Sequence, residues 1–556
     1  MIDETNSGET GGTIDPPQTL GGMLRKLGPG MIVAGSIVGS GELIATTKTG
    51  AEAGFYFLWL IIIGCVIKVF TQIELGRHTL THGQTPLKAL DSVPGPRWQV
   101  NWIIWFWWVT TILVVSQQGG ILGGIGQCLA ITKPITTQGI AFNEASSNHV
   151  GAKVELALMY RAHPELEQAN VVQRRFDGWS RAEYSGELST LRQQRAAILG
   201  AETEALFAAQ ENVIATLARE LTVFDENPSQ DANIWSAIVA VLTSVMLVIG
   251  RFGFIQSFTT ILVAGFTGIT LIASAMLHFS SDWGASGAEV MQGLSFQLPP
   301  IVEGLTANPL LTALATFGII GVGATELVAY PYWCIEKGYA KFTGPRDDSD
   351  AWTTRARGWL TVLKLDAWAS MLVYTVATIA FYMMGASVLH RAGLNPEGQD
   401  MIQTLAAMYE PIFGSWTSSV FLVGAVVVLY STFFVAAAAY ARMIADATGL
   451  LGLHDNSDKP RQFWVKLVSL LWPLLSLALL LVIKAPAVMV LASGIAQALM
   501  LPMIAGAALY FRYKRGDRRL APGKWWDAML WISLAGFMVV AVTAFVSKWA
   551  DLKSLF

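Results

Sequence analysis

Long apolar runs separated by polar connections set the pattern of this chain, and runs of ~17 to 25 apolar residues can cross a bilayer as helices. Eleven are predicted, near 28–49, 53–76, 101–131, 234–250, 254–279, 309–335, 362–389, 416–446, 463–483, 486–511 and 525–547. The run at 234–250 is the shortest and ends at Arg251. One stretch, 133–233, departs from the pattern: it is polar and mixed in charge, with more acids than bases. Within it Leu188, Leu191, Ile198, Leu206, Val213, Leu217 and Leu221 recur at near-helical spacing, which predicts helix over 181–224, ended by Asn227 and Pro228. The chain thus divides into a tail (1–27), a first membrane part with three spans (28–132), a helical extramembrane insertion (133–233) and a second membrane part with spans four to eleven (234–556). The insertion is either a helical hairpin capping the outer face or a docking or gating module, and its residues do not decide between the two.

Lys and Arg in the connections then predict the orientation. The connection 336–364 carries Lys337, Lys341, Arg346, Arg355, Arg357 and Lys364, and 512–524 carries Arg512, Lys514, Arg515, Arg518, Arg519 and Lys524. Lys459 and Arg461 lie between 447 and 462. By contrast, 280–308 has only Asp282, Glu289 and Glu303, and 390–415 has a single base, Arg391. This alternation fits eleven spans of a multi-pass cell-membrane protein with a cytoplasmic N-terminus. Phe556 and the insertion are then expected outside. Composition agrees, with 53% apolar and 14% charged residues against roughly 25% charged in soluble domains. The 20 Trp suit two aromatic interfacial belts. A net charge of -3 argues against a nucleic-acid partner. Cys65, Cys128 and Cys334 lack zinc-ligand spacing and suggest no disulfide framework. Residues 1–20 are polar and acidic, unlike a signal or transit peptide.

Two carboxylates lie inside apolar spans, where a charge costs at least ~2.5 kcal/mol at a helix centre. Glu42 closes Gly39-Ser40-Gly41-Glu42, a run of small residues that predicts an unwound first span. Glu326 closes Gly321-Val322-Gly323-Ala324-Thr325-Glu326, followed by Tyr330-Pro331-Tyr332, which predicts a matching break in the sixth. The first and sixth spans are equivalent in a five-plus-five inverted repeat, and matched interruptions point to a transporter's binding site. The expected site is Glu42 and Glu326, with the Ser40 and Thr325 hydroxyls and the backbone at Gly39. Such a hard oxygen set suits magnesium, manganese or calcium over soft metals. The structural alternative for each carboxylate is a role in holding its own helix break.

Other polar residues have plainer readings. Gln117 and Gln118 either line the cavity or bond between helices. Asp366 is expected in a cytoplasmic ion pair, Arg442 and Asp446 in a local pair four residues apart, and Cys334 in packing. No phosphate-cradling Gly-Lys-Ser/Thr run or catalytic triad pattern is present, so neither an enzyme nor an ATP-driven pump is expected.

These residues resemble the Nramp family of divalent-metal transporters. Gly28-Pro29-Gly30, the run to Glu42, and Gly50-Ala51 through Gly54 to Leu58-Trp59 are similar to that family's first span and the start of its second. Arg251-Phe252-Gly253-Phe254 resembles its turn between spans four and five, Gly318-Ile319-Ile320-Gly321 with Gly323-Ala324-Thr325 its sixth span, and Leu501-Pro502 its tenth. The resemblance covers the membrane part and not the insertion. It implies an all-α integral membrane fold, the LeuT-type inverted repeat plus one span. The family's Asp-Pro-Gly-Asn signature is replaced here by Gly39, Ser40, Gly41 and Glu42. Its Met-Pro-His signature, with the Met placed at Thr325, Leu327 or Tyr330, keeps neither Met nor His. Loss of the Met sulfur implies a relaxed or inverted preference between transition metals and calcium or magnesium. The third-span acidic positions tied to proton movement fall on Gln117 and Gly120, which cannot relay protons. The chain thus resembles a divergent branch, comparable to magnesium-transporting or non-transporting relatives.

The expectation is a secondary transporter or facilitator of a divalent cation such as magnesium or manganese, carried as cargo, with no resident cofactor. Two rivals stay open: a transporter of another solute that uses the carboxylates for protons, and a non-transporting sensor or scaffold with 133–233 as its interaction module. Convergence of the two carboxylates favours the cation site.

Overall fold

The computed structural model describes residues 12–169, 181–249, 252–280, 282–300, 308–410, 416–455 and 457–553. They are helical throughout the membrane part, with one two-residue pairing of Arg97–Trp98 against Val100–Asn101 in the connection before the third span. Ten helical segments are long and apolar enough to cross a membrane: Pro29–Ala53, Leu58–His82, Trp102–Thr132, Asp231–Ile249, Pro309–Glu336, Asp350–Leu389, Ser419–Leu450, Asp458–Ile483, Pro486–Arg515 and Lys524–Lys548. The helix Phe252–His278 stands at the position of the fifth span, and its described apolar part is Ala264–His278. All eleven predicted spans are therefore helices. Arg251 and Glu303, used above for a span boundary and a loop charge, lie outside the described residues.

The ends of these helices follow from local chemistry. Proline occupies the first helical position at Pro29, Pro309 and Pro486, where its missing N–H is no loss. Asn101, Asn308 and Ser349 cap helix starts by accepting the N–H groups of Ile103, Leu311 and Trp352. Small residues then let the spans cross closely, as in many membrane helix pairs. A Cβ added at Gly50 would sit 2.5 Å from the Tyr382 carbonyl oxygen, so the first and seventh spans meet backbone to backbone. Gly318 meets Gly494 in the same way, joining the sixth and tenth spans.

The Lys- and Arg-rich connections gather on the face that holds the N-terminal segment. Ile14 N–H donates to the Phe342 carbonyl at 3.0 Å, and Trp359 Nε1 donates to the Ile14 carbonyl at 2.9 Å. Asp517 pairs with both Arg346, at 3.0 Å, and Arg519, at 2.9 Å, tying the connection after span six to the one after span ten.

Three sequence expectations are corrected here. Arg442 and Asp446 do not pair with each other: Arg442 binds Glu336 at the end of the sixth span, and Asp446 binds Arg461 of the ninth at 2.7 Å. Partners on neighbouring spans satisfy each charge where the helices crowd together. Asp366 is buried and forms no ion pair among the described residues; it accepts the N–H groups of Gly28 at 2.9 Å and Gly30 at 2.5 Å and the Tyr330 hydroxyl at 3.2 Å. The start of the first span exposes unpaired N–H groups and a positive dipole end, and a buried carboxylate meets both needs. The helix read over 181–224 is two helices, Arg181–Leu199 and Ala201–Glu226, separated at Gly200 with φ +85°.

The insertion also contains a helix that its composition hid, Thr137–Arg161, followed by the short Pro164–Gln168. Leu156, Leu166, Leu191 and Phe207 form its small apolar core. Beside that core the buried Arg195 bonds Glu204 at 2.8 Å, Glu211 at 2.7 Å and the Tyr160 hydroxyl at 2.6 Å. Asp231, at the start of the fourth span, accepts from Ile135 N–H and the Thr136 hydroxyl, both at 2.7 Å, and so closes the base of the insertion. The insertion thus has its own core and ion cluster. Deleting 140–228 is expected to leave a membrane part that still inserts, checked by membrane fractionation and a monodisperse gel-filtration peak in detergent.

Candidate functional site

The first span does not unwind at Gly39–Gly41. It widens into a π-helical stretch over Val38–Thr46, between Pro29–Ile37 and Thr47–Ala53. This keeps backbone hydrogen bonds inside a dry interior while changing the helix's pitch, as π-type insertions often do at functional sites. The small residues still matter. A Cβ at Gly39 would collide with the Thr432 hydroxyl, and one at Gly41 would sit 3.1 Å from the Ile319 carbonyl oxygen. The sixth span breaks outright. Its first half, Pro309–Ile319, stops before Ile320, Gly321 takes φ +57°, and helix resumes over Ala324–Glu336. The glycines make the break. Glu326 lies in the first turn after it, where the positive end of the helix dipole favours a carboxylate, and Pro331 is accommodated within the helix.

The two broken spans lie against each other. Thr49 and Thr316 hydroxyls are 2.7 Å apart, and Thr316 Oγ1 donates to the Ala45 carbonyl at 3.2 Å. Glu42 is fully buried. Its Oε1 accepts from Gly321 N–H at 3.3 Å and from the Thr378 hydroxyl of the seventh span at 3.0 Å, while its Oε2 has no hydrogen-bond partner on another residue among those described. Glu326 approaches the same break from the other side: a Cβ at Gly323 would run into its Oε2. Glu42 and Glu326 thus flank the same four-residue break, one bonded to Gly321 and the other three residues beyond Gly323.

Ser40 and Thr325 are joined to it by a chain of neutral groups. Gln117 Nε2 donates to Ser40 Oγ at 3.0 Å, and Gln117 Oε1 accepts from Gln497 Nε2 at 2.8 Å and Ser493 Oγ at 2.9 Å. Gln497 Oε1 in turn accepts from Thr325 N–H at 3.3 Å, and the Thr325 hydroxyl lies 3.0 Å from it and 2.9 Å from Glu326 Oε2. Gly39 N–H donates to the Thr432 hydroxyl of the eighth span at 3.1 Å.

Three residues at the break escaped the sequence reading. Gln497 and Ser493 sit in the tenth span without a neighbouring charge to draw notice. Lys68 carried a visible signal, a lysine after the apolar run from Leu58 to Ile67. It is fully buried, donates to the carbonyls of Phe317 and Ile320, the latter at 2.8 Å, and lies 4.9 Å from the centre of the Phe317 ring. Both Glu42 and Glu326 are within its electrostatic reach. Cys65, one turn earlier, places its sulfur 3.8 Å from the Thr378 hydroxyl. Among the described residues no three His, Cys, Asp or Glu side chains form a metal-holding group. The oxygen-bearing side chains beside this break are those of Glu42, Glu326, Thr325 and Ser40, with Lys68 next to them.

The sequence matches the family described as natural resistance-associated macrophage protein-like, Nramp, over residues 187–547. That range includes Glu326 and excludes Glu42. No curated protein matches the chain. In three dimensions the chain is similar to the Eremococcus coleocola manganese transporter. A point variant of that protein superposes with a TM-score of 0.55 at 12% identity, covering 98% of this chain and 91% of that one. The same transporter in complex with an aromatic bis-isothiourea substituted compound gives 0.54 at 13% identity, covering 96% and 90%. At these identities the likeness speaks for the fold.

The neutral network gives a stability test. Replacing Gln497 with Leu leaves Thr325 N–H without its acceptor, an orphaned buried group costing about 1–3 kcal/mol, and removes one of the two donors to Gln117 Oε1, which keeps Ser493. Gln497→Leu is expected to lower the melting temperature in detergent, read by intrinsic fluorescence, whereas Ser493→Ala, which removes two bonds but leaves the Gln117–Gln497–Thr325 chain intact, has the smaller effect.

Proposed function

The chain belongs to the Nramp family, and from that premise we propose that it is a secondary transporter or facilitator of a divalent metal cation, with its site at the breaks of the first and sixth spans. The observation that carries this reading is the unpartnered Oε2 of Glu42, buried at the same break as Glu326. An ionised carboxylate held dry with one oxygen unmet is costly unless a cation or proton arrives to meet it. Two carboxylates with neighbouring hydroxyls form an oxygen donor set, which favours magnesium or manganese as cargo. The two solved structures compared above are of a manganese transporter by description, and Cys65 adds one softer atom at the edge of the set. Glu42, Glu326, Thr325 and Ser40 are the proposed ligands or their immediate supports. Gly39 serves by allowing the close approach to span eight.

The charge distribution supports a multi-pass protein of the cell membrane whose basic face, with the N-terminus, is cytoplasmic. On that orientation the insertion and C-terminus are extracytoplasmic. The lipid bilayer and the cation are the proposed partners, and the chain is a transporter rather than an enzyme.

A second reading keeps the fold and changes the cargo. Lys68 reduces the formal charge at the break to one negative unit, which suits a proton or another solute better than a bare divalent ion. Uptake into proteoliposomes across manganese, magnesium, calcium and a no-metal control separates the two. The native protein is expected to carry manganese or magnesium above empty liposomes. Glu42→Gln, which keeps shape and removes charge, is expected to lose at least ~90% of that flux, a change of ~1.4 kcal/mol or more, with an unchanged gel-filtration profile. Full flux in a well-folded Glu42→Gln protein returns Glu42 to a structural role.

A further inference from the structure

Divalent-ion binding at two carboxylates leaves Lys68 without a task. Its position is nevertheless specific. The first half of span six ends at Ile319, and the last carbonyls of a helix carry its negative dipole end. Free carbonyls at such an end, inside a membrane protein, are where a cation is held in many broken-helix sites. Here the Lys68 ammonium is already there. It donates to Phe317 and Ile320 oxygens and lies against the face of the Phe317 ring. It stands in mid-span with no exposed surface, so it cannot reach water by extending its side chain. The surrounding glycines are shaped around this arrangement: a Cβ at Gly64, one turn before Lys68, would sit 2.9 Å from the Phe317 ring and 3.1 Å from Ile320 Cδ1. The second span is thereby drawn close enough for Lys68 to meet the sixth-span carbonyls.

We propose that Lys68 is a built-in cation: its ammonium occupies the carbonyl end of the first half of span six and competes, by place and by charge, with a mobile divalent cation for the Glu42–Glu326 cluster. The inference rests on the cation-site reading given above and makes Lys68 a specificity-determining residue rather than a ligand. With Lys68 in place, a divalent ion turns a cluster of one net negative charge into one of net positive charge. Without it, two carboxylates and a divalent ion balance. The Phe317 and Ile320 oxygens then become available to the incoming ion as further hard donors, at the ~2.0–2.6 Å distances such ions require. Lys68 thus keeps binding weak and release easy, and it disfavours a second positive charge at the break.

The test is an equilibrium titration of the purified full-length protein in detergent with manganese chloride, followed by calorimetry, and repeated with magnesium chloride. Lys68→Met and Lys68→Gln remove the charge; Lys68→Arg keeps it. The charge-removing variants are expected to bind manganese at least ~10-fold more tightly than the native protein, equivalent to ~1.4 kcal/mol, while Lys68→Arg stays within ~3-fold of it. Adding Glu42→Gln to Lys68→Met is expected to abolish the gain. If Lys68→Met does not fold, Lys68→Gln carries the same direction of change, because it too removes the positive charge while its polar amide is easier to accommodate beside the carbonyls. Equal or weaker binding in folded, charge-removed variants overturns the proposal, as does a lower melting temperature with unchanged affinity, which is the signature of a purely structural lysine. Native binding that ignores Lys68 sinks this inference alone. Absence of binding in every variant sinks the cation-site reading together with it. Binding in Lys68→Met but not in the native protein upholds the inference and overturns native divalent transport.

Discussion

A helix that breaks inside a membrane leaves peptide groups that no water can satisfy, and the structure around the break at 320–323 is arranged to meet them. Side chains from three other spans do so. Glu42 of the first accepts Gly321 N–H, Lys68 of the second donates to the Phe317 and Ile320 carbonyls, and Gln497 of the tenth accepts Thr325 N–H. Each group matches the polarity it faces: the ammonium meets the carbonyl end of one half-helix, and carboxylate and amide oxygens meet N–H groups at the start of the other. The first and sixth spans are therefore held in register by the same atoms proposed to handle cargo. A change at the site is for this reason also a change in the fold, and affinity and stability have to be measured together.

This arrangement depends on how closely the spans approach. Gly50 against the Tyr382 backbone, Gly318 against Gly494, and Gly64 against Phe317 bring the seventh, tenth and second spans to the break. Only at these separations do a lysine and an amide reach the backbone of another helix. The buried Asp366 does similar work at the other end of the first span, fixing Gly28 and Gly30 to the seventh. The first span is thus pinned at its start by one carboxylate and at its middle by Glu42, both received partly by backbone N–H.

The membrane architecture was legible because span-length apolar runs and the placement of Lys and Arg are global signals, insensitive to the exact partner of any residue. The break of the sixth span was legible in Gly321 and Gly323. The form of the first was not: small residues predict a weak helix but do not say whether it opens or widens, and the neighbouring Thr432 and Ile319 decide that by contact. Arg442, Asp446 and Asp366 were misread for the same reason. Spacing along one helix names the local partner, whereas in a crowded bundle a partner on another span is often nearer. The helix Thr137–Arg161 was hidden by small and polar residues that show little apolar periodicity. Lys68 was visible in the sequence and passed over, because a lysine in an apolar run reads as an interruption until the carbonyls it binds are seen.

The polar groups at the break separate into two kinds. Ser40, Gln117, Ser493, Gln497 and Thr325 form a neutral chain that can orient oxygen atoms but cannot carry net charge. Charge is confined to Glu42, Glu326 and Lys68. The neutral chain joins the first, third, tenth and sixth spans by side-chain hydrogen bonds. The charged groups, in contrast, depend on what occupies the cluster. A cation that satisfies Glu42 Oε2 changes the balance of attraction felt by Lys68, and Lys68 is bonded to the end of the half-helix itself. On the proposed reading, occupancy and the position of the sixth-span break are linked through one side chain, and that linkage requires no acidic relay in the third span, where Gln117 and Gly120 stand.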